Sequence, residues 1–198
     1  MGKLDFIVTG VGGQGVVLAS DVIAEAALDS GYDAKKTDTI GMAQRGGGVV
    51  SHVRMSARVW SPLVKPGEAD IILAFEKLEG ARWGAYLEPR GVIILNNHAS
   101  PPLSVNLGKE KYPADDEIID LLRPVAGRIY LVNGSARAAG LGNLKVLNTY
   151  MLGCLSTFTP LAPPVWEAVI ARHLPPRSLE INLQAFHLGR EEITSARI

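Results

Sequence analysis

A glycine-rich segment, Gly10-Val11-Gly12-Gly13-Gln14-Gly15, directly follows the apolar run at residues 4–9 and precedes a helical pattern that extends to about residue 30. A strand, a glycine turn and a helix in this order can hold a phosphate, because glycines let backbone N–H groups approach an anion and the helix N-terminus faces it with partial positive charge. Four glycines in six residues exceed the needs of a simple turn. We therefore predict a phosphate or pyrophosphate site formed by Gly10, Gly12, Gly13, Gln14 and Gly15.

A second unusual stretch occupies residues 39–48, where Arg45 precedes three consecutive glycines. The planar guanidinium of an arginine suits phosphate or carboxylate, and adjacent glycines bring backbone close to a ligand. The composition equally favours a flexible hairpin connection with a surface arginine. On the first interpretation, the residues that extend the binding site are Arg45, Gly46 and Gly47.

The apolar pattern along the chain predicts an α/β fold. Three short continuous apolar runs are typical of parallel strands covered on both faces, at residues 71–75, 92–95 and 129–132. Helical patterns lie between or after them, at residues 77–87, 116–122, 144–156, 165–173 and 180–188. Residues 35–38 are polar enough for a short or edge strand, and residues 49–59 alternate as a half-exposed strand does. We expect one Rossmann-like three-layer domain, residues 1–198, with a mainly parallel sheet, a mixed or antiparallel portion, and a helical part from about residue 160.

Ligands of open α/β sheets bind beyond the carboxyl ends of the strands. Besides the first glycine segment, the polar residues that follow the predicted strands are Glu76, Asn96, Asn97, His98, Asn133, Gly134 and Ser135. Such residues are also common helix caps and turn formers, and for any single Asn or Ser we favour that interpretation.

A nicotinamide-dependent oxidoreductase is one alternative. The dinucleotide fingerprint needs an acid at the end of the second strand, and Asp33 and Asp38 lie at suitable distances from the glycines. The surrounding segment is too polar for the usual second strand, and Gln14 replaces a small or apolar residue. A second alternative is a structural interaction module whose glycines serve close backbone packing.

Composition excludes several classes of chemistry and partner. The formal net charge is zero, which argues against nucleic acid, and no apolar stretch is long enough for a membrane span. Cys154 is the only cysteine, so this chain cannot hold an iron–sulfur cluster, and a reducing cytoplasmic location is expected. The four histidines lack metal-ligand spacing. We predict no catalytic residue and no metal ligand in this chain, which suggests a completing or binding subunit.

One acidic stripe runs along the first helix, because Asp21, Glu25 and Asp29 are spaced four residues apart. A solvated outer face is the favoured interpretation. The alternative is a contact with a basic partner surface.

The two glycine motifs, followed by Ser51-His52-Val53-Arg54-Met55-Ser56, resemble the gamma-type subunits of 2-oxoacid:ferredoxin oxidoreductases, closest to the small subunit of the indolepyruvate enzymes. Glu76, Asn96 and the segment Asn148-Thr149-Tyr150-Met151-Leu152-Gly153 also fit the pattern of that family. The resemblance covers the chain to about residue 158.

The resemblance implies one subunit of a complex that oxidatively decarboxylates an aryl 2-oxoacid such as indolepyruvate, inactive alone. Coenzyme A accepts the acyl group and ferredoxin the electrons. Thiamine diphosphate and the iron–sulfur clusters would lie on a larger partner subunit, and this chain would complete the active site and help to bind coenzyme A. Isolated, it could form a homo-oligomer.

Overall fold

The computed structural model describes residues 2–40, 47–101, 105, 107–108 and 111–195. Among these residues, six strands form one sheet in the order β2-β3-β1-β4-β5-β6. The strands are β1 (Leu4–Val11), β2 (Asp33–Ile40), β3 (Gly48–Ser56), β4 (Ala69–Ala74), β5 (Leu87–Asn96) and β6 (Arg128–Val132). Strand β3 is antiparallel to both β1 and β2, whereas β1, β4, β5 and β6 are mutually parallel. The prediction of a mainly parallel sheet with an antiparallel portion is confirmed.

Helices cover both faces of the sheet. Their bounds are α1 (Val16–Asp29), α2 (Lys77–Trp83), α3 (Asp115–Leu122), α4 (Gly134–Gly140), α5 (Leu147–Ser156), α6 (Pro163–His173) and α7 (Pro176–Ser195), and short 3₁₀ turns occupy Gly84–Tyr86 and Leu144–Val146. Helices α1 and α4 to α7 form one layer, and α2 and α3 form the other. Within the described ranges, no helix is both long and apolar enough to cross a bilayer.

Strand β1 lies in the middle of the core and separates the two apolar clusters. Successive side chains of a strand point to opposite faces. Phe6 and Val8 therefore pack under the α1 layer, whereas Ile7 packs under the α2 layer, and all three are fully buried. Burial on both faces explains why the sequence of β1 is a nearly continuous apolar run.

Helices α5 and α7 cross so closely that glycine is required on both. A Cβ atom built on Gly153 would lie 2.0 Å from the Phe186 carbonyl oxygen, and one built on Gly189 would lie 2.0 Å from that of Tyr150. Neither backbone can move without separating the helices. This contact fixes the long C-terminal helix on the main body of the fold.

The acidic stripe of α1 is paired within the chain. Arg172 donates to Asp29 at 2.8 Å and to Glu25 at 3.3 Å, and the His173 ring lies 2.9 Å from Glu25. Lys36 lies 2.5 Å from Asp21. The stripe therefore joins α1 to the end of α6 and to β2. The three acidic side chains are still 37–38% exposed, as the favoured interpretation of a solvated outer face expects.

Several elements differ from the sequence-based expectation. Strand β6 is half-exposed rather than covered on both faces, because it forms the free edge of the sheet. Helix α4 was predicted as caps and turns, and α7 extends beyond the predicted 180–188 at both ends. Strand β3 ends three residues before the predicted 59, and the predicted 77–87 helix is α2 followed by a 3₁₀ turn.

We predict that Gly189→Ala lowers the free energy of unfolding by about 3 kcal/mol, the upper end of the usual cost of overpacking, because the added methyl meets backbone atoms. Denaturant unfolding measures the change. Gly140→Ala is the control, because its Cβ would meet nothing within 4 Å and it lies at a helix end. Equal stability of Gly189→Ala and the parent chain would contradict the close crossing.

Candidate functional site

The first glycine segment forms a tight turn between β1 and α1. The Gln14 N–H donates to the Val11 carbonyl at 3.0 Å, and the Gln14 side-chain oxygen accepts from the Val11 N–H at 2.8 Å. Gly13 and Gly15 have φ angles of 100° and 80°, the left-handed region that favours glycine. Gln14, which departs from the dinucleotide pattern, therefore closes the turn with its backbone N–H and its side-chain carbonyl.

Side chains lie close to two glycines of the segment. A Cβ on Gly15 would lie 1.9 Å from the Asn148 amide nitrogen, and one on Gly10 would lie 2.7 Å from the Gln14 side-chain oxygen. A Cβ on Gly13 would meet nothing within 4 Å. Gly13 therefore borders open space, and only its backbone conformation favours glycine.

The second glycine segment reaches the first. The Gly47 carbonyl accepts a hydrogen bond of 2.9 Å from the Gly12 N–H, and Gly48 pairs with Val11 across β3 and β1. The structure thus brings Gly12 and Gly47 together, as a shared site requires. Arg45 and Gly46 lie outside the described residues.

The set of N–H groups open to an anion is narrower than predicted. The N–H groups of Gly12 and Gln14 already donate within the loop, to Gly47 and Val11. Those of Gly13 and Gly15 have no acceptor among the residues that the structure describes. They adjoin the first turn of α1, whose first intrahelical bond runs from Ala19 to the Gly15 carbonyl. Helix N-termini leave such N–H groups unpaired and attract anions.

Glu76, at the carboxyl end of β4, is a buried anchor rather than a free acid. One carboxylate oxygen caps α2 by accepting from the Glu79 N–H at 2.8 Å. The other accepts from the Ser100 N–H at 3.2 Å and from the Tyr112 hydroxyl. Burial and this carboxylate raise the pKa of Tyr112, so its phenol remains a donor. Glu76 therefore fixes residues 100 and 112 beside the sheet edge.

The asparagines at the carboxyl end of β5, Asn96 and Asn97, are also structural. The fully buried Asn96 donates to the Phe75 carbonyl at 3.1 Å and to the Ser135 hydroxyl at 2.9 Å, and accepts from the Ser135 N–H at 3.1 Å. Asn97 donates to Asn133 at 3.1 Å. These contacts join the carboxyl ends of β4 and β5 to α4. Asn133 lies at the N-cap of α4 without a capping side-chain hydrogen bond, and Gly134 and Ser135 lie in the helix, so these polar residues hold the fold by a wider network than the predicted caps and turns.

The geometry removes the basis for nicotinamide binding. Strand β3 lies between β1 and β2, so the end of β2 is not adjacent to the glycine turn. Asp38 accepts from the Ser51 hydroxyl at 2.6 Å and pairs with Lys36 at 3.0 Å. Asp33 lies at the opposite end of β2 and accepts from the Val59 N–H at 2.7 Å. Neither acid is placed to bind a ribose beside Gly10–Gly15.

A groove beside the second glycine segment was not predicted. Its volume is about 380 Å³, and it lies between α2 and the end of the β2–β3 hairpin where Thr39 and Gly48 flank the connection. Its lining residues are Thr39, Gly48, Val49, Val50, Glu79, Arg82, Trp83 and Tyr86. Behind it, the His52 ring contacts Trp83 and Tyr86 edge-on, with centroids 5.8 Å and 5.9 Å apart. The alternation of β3 places Val50 and His52 on one face, but the sequence does not show which helix meets that face.

The nucleophile and metal candidates have structural surroundings. Cys154 is fully buried, and burial raises the pKa of its thiol. The His52 Nδ1 accepts from the Val64 N–H at 3.2 Å, and burial lowers the pKa of His52, which favours the neutral ring. In the described part of the chain, no three His, Cys, Asp or Glu side chains are grouped to hold a metal ion.

The comparisons with known proteins show the family and agree with the fold. The family described as pyruvate ferredoxin/flavodoxin oxidoreductase matches residues 5–192. An Archaeoglobus fulgidus protein named indolepyruvate oxidoreductase subunit IorB is 36% identical over 197 residues, 98% of each chain. The protein of that name from Thermococcus kodakarensis is 33% identical over 192 residues, 96% of this chain and 95% of its own.

Two solved structures share the fold. The gamma subunit of a keto/oxoacid ferredoxin oxidoreductase from Geobacter sulfurreducens has a TM-score of 0.71 at 24% identity, over 98% of this chain and 99% of that one. A 2-oxoglutarate:ferredoxin oxidoreductase from Magnetococcus marinus has a TM-score of 0.77 at 20% identity, over 98% of this chain but 32% of that one. The chain belongs to the pyruvate ferredoxin/flavodoxin oxidoreductase family, and its resemblance to the gamma-type subunits is confirmed.

We predict that Glu79→Gln stabilises the chain at neutral pH. Burial raises the pKa of Glu79, with Arg82 opposing the shift and Glu76 adding to it. The folded chain therefore holds this proton more tightly than the unfolded chain does. The stability that this proton contributes is fully present below pH 4.5, the pKa of Glu79 in the unfolded chain. It is lost as the pH rises through the higher pKa of Glu79 in the folded chain.

Denaturant unfolding at a series of pH values between about 4 and 8 tests this prediction. The difference between Glu79→Gln and the parent chain should be largest at the upper end and should vanish at the lower end. Glu180→Gln, which changes an exposed acid of α7, is the control. A variant that is less stable throughout would show that the Glu79 charge is favourable where it lies.

Proposed function

We propose that this chain is the gamma-type subunit of an aryl 2-oxoacid:ferredoxin oxidoreductase, with indolepyruvate as the representative substrate. The observation that supports this proposal most directly is the hydrogen bond from Gly12 to Gly47, which joins the two glycine segments at the carboxyl edge of the parallel strands. Ligands of open α/β sheets bind at this edge. The names of the relatives that match over nearly the whole chain support the aryl substrate.

The chain contributes one wall of an active site shared with a larger subunit, and it is inactive alone. Its single cysteine is buried in the core. Its candidate acids and amides at the sheet edge are engaged in holding the fold. Thiamine diphosphate and the iron–sulfur clusters belong to the larger subunit in this proposal, and ferredoxin receives electrons through the complex.

The first glycine segment fits a phosphate of coenzyme A. Gly13 borders open space, its N–H and that of Gly15 have no acceptor in the described part of the chain, and the N-terminus of α1 adjoins both. The Magnetococcus marinus protein that shares the fold was solved with 2-oxoglutarate, coenzyme A and succinyl-CoA bound. Coenzyme A supplies the thiol that accepts the acyl group. Gly13 and Gly15 would hold its phosphate, and Arg45 would pair with that phosphate.

A structural role for the glycines is the second candidate, because side chains lie close to Gly10 and Gly15 and Gly15 has a left-handed backbone. On this interpretation the loop contacts the partner subunit and binds no phosphate. Gly13 distinguishes the two candidates, because no packing contact requires a glycine there.

Reconstitution tests the reaction. We expect this chain, mixed with the larger subunit that co-purifies with it from native cells, to reduce ferredoxin in the presence of indolepyruvate and coenzyme A. Neither chain alone should do so, because each would hold part of the site. The same assay with pyruvate or 2-oxoglutarate in place of indolepyruvate measures the substrate preference. A mixed complex that forms but shows no arylpyruvate-dependent reduction would refute the proposal.

For the coenzyme, we expect Gly13→Ala to weaken coenzyme A binding to the complex by roughly tenfold or more, because its methyl projects into the open space where the phosphate would approach. Arg45→Ala should weaken the binding free energy of coenzyme A by roughly 1.5–3 kcal/mol, the range for hydrogen bonds to charged groups. Isothermal titration of each variant complex with coenzyme A measures the two changes in affinity.

Gly67→Ala is a matched control, because Gly67 has a φ of 78° and nothing within 4 Å of its Cβ, but lies in the β3–β4 connection. It imposes similar backbone strain at another site. Unchanged coenzyme affinity in a folded Gly13→Ala complex would favour the structural candidate.

A further inference from the structure

The groove between α2 and the β2–β3 hairpin has the composition of a small-molecule site. Its volume is about 380 Å³, and its apolar and aromatic walls are formed by Val49, Val50, Trp83 and Tyr86. Glu79 is the acid among its described lining residues. Sites for small ligands typically have volumes of roughly 300–1,000 Å³ and apolar walls, with a few polar groups that orient the ligand. We call this feature the Glu79 groove.

The aromatic wall of the Glu79 groove is held in place from behind. The Trp83 and Tyr86 rings have centroids 4.8 Å apart and are tilted by 53°. The His52 ring contacts both of them edge-on, and its Nδ1 accepts from the Val64 N–H at 3.2 Å. Tilted and edge-on contacts are favourable arrangements of aromatic rings. Side chains that are already held lose little conformational freedom when a ligand packs against them.

The Glu79 carboxylate is an acceptor that the fold leaves unused. Its side chain is only 13% exposed, yet it accepts no hydrogen bond from any residue that the structure describes. The Arg82 Nε lies 3.6 Å from one carboxylate oxygen, and the other oxygen lies where it would be 2.8 Å from a Cβ on Gly48. Buried polar groups nearly always have a hydrogen-bond partner. A ligand N–H in the groove would supply the one that Glu79 lacks.

The position and charge of the groove restrict what it can hold. Gly48 lines it, and the neighbouring Gly47 accepts from the Gly12 N–H, so the groove lies where the two glycine segments meet. A phosphate is disfavoured inside it, because Arg82 is the one cation among the described lining residues and already lies beside the Glu79 carboxylate. An uncharged ring with an N–H at its edge matches both the aromatic wall and the unused acceptor.

We propose that the Glu79 groove binds a flat heteroaromatic ring that packs against Trp83 and Tyr86 and donates an N–H to the Glu79 carboxylate. This inference rests on the proposed function, in which two reactants carry such a ring. The indole of indolepyruvate has a ring N–H, and the adenine of coenzyme A has an amino group. Phenylpyruvate lacks the ring N–H, and 4′-phosphopantetheine lacks the adenine, so these two analogues separate the sources.

Steady-state kinetics of the reconstituted complex identify the ring. If the groove holds the substrate, Glu79→Met should lower kcat/KM for indolepyruvate roughly tenfold relative to phenylpyruvate, because only the indole loses a hydrogen bond to a charged group. If it holds the adenine, Glu79→Met should raise the KM for coenzyme A roughly tenfold and leave that for 4′-phosphopantetheine unchanged. Glu79→Gln keeps an acceptor oxygen and should restore part of the loss. Glu180→Met, which changes an exposed acid of α7, is the control.

Equilibrium titration measures ring binding without the reaction. The probes are indolepyruvate and adenosine 3′,5′-bisphosphate, the nucleotide end of coenzyme A, added to the full chain alone and in the complex. We expect one of them to bind, and Trp83→Leu to weaken that binding roughly tenfold, because leucine keeps an apolar side chain but removes the flat ring. Trp60→Leu is the matched control, because Trp60 is 78% exposed in the β3–β4 connection and does not line the groove.

The remaining outcomes separate this inference from the proposed function. Unchanged kinetics and ring affinity in Glu79→Met and Trp83→Leu complexes that reduce ferredoxin refute the ring site and leave the proposed function intact. Weaker subunit association in these variants with unchanged KM values assigns the groove to the partner subunit, which also refutes the ring site. Binding that depends on Trp83, in a complex without arylpyruvate-dependent ferredoxin reduction, refutes the proposed function alone. Absence of both the binding and the reaction refutes both.

Discussion

The register between β1 and β3 is the constraint on which the site depends. It runs without a shift from Leu4 opposite Met55 to Val11 opposite Gly48. Asp5 faces Arg54 across this pair of strands, buried, and the guanidinium donates two hydrogen bonds of 2.9 Å to its carboxylate. A slip of one residue would place a buried carboxylate opposite an apolar side chain and would exchange the faces of the whole strand. We infer that this ion pair specifies the register more than it adds to stability.

That register places the two glycine segments side by side. Because Val11 pairs with Gly48, the residues just beyond each strand end must meet, and the bond from Gly12 to Gly47 joins them. Gln14 then closes the turn, and α1 starts with its N-terminus at the same edge. Gly12 and Gly47, which are 35 residues apart in the chain, thus become neighbours through backbone pairing. In the described part of this loop, the N–H groups without an acceptor are those of Gly13 and Gly15.

The sequence predicted the parts of the fold that depend on local pattern. Strand β1, helix α1 and the strands β2 and β3 follow from an apolar run, a glycine stop, a polar edge segment and an alternating segment, whereas the hairpin connection was one of two equal interpretations. Helix α4 was missed because glycines flank its short sequence, Gly134 to Gly140, and are typical of turns. The exposure of β6 was missed because an apolar run does not show whether a further strand or helix covers it. The groove at Glu79 and the pairing of Arg172 with α1 depend on helix positions that no local pattern encodes.

The same limit explains why the glycine motif was ambiguous and what resolves it. A glycine can be required by conformation, by close packing or by a ligand, and the sequence shows the same letter in each case. Side-chain atoms of Gln14 and Asn148 lie where a Cβ on Gly10 or Gly15 would be, which gives these two glycines a packing reason. Gly13 has a left-handed backbone but an open Cβ direction, so it is a position where a ligand can still be the reason for the glycine. Function and folding can therefore be tested separately at Gly13.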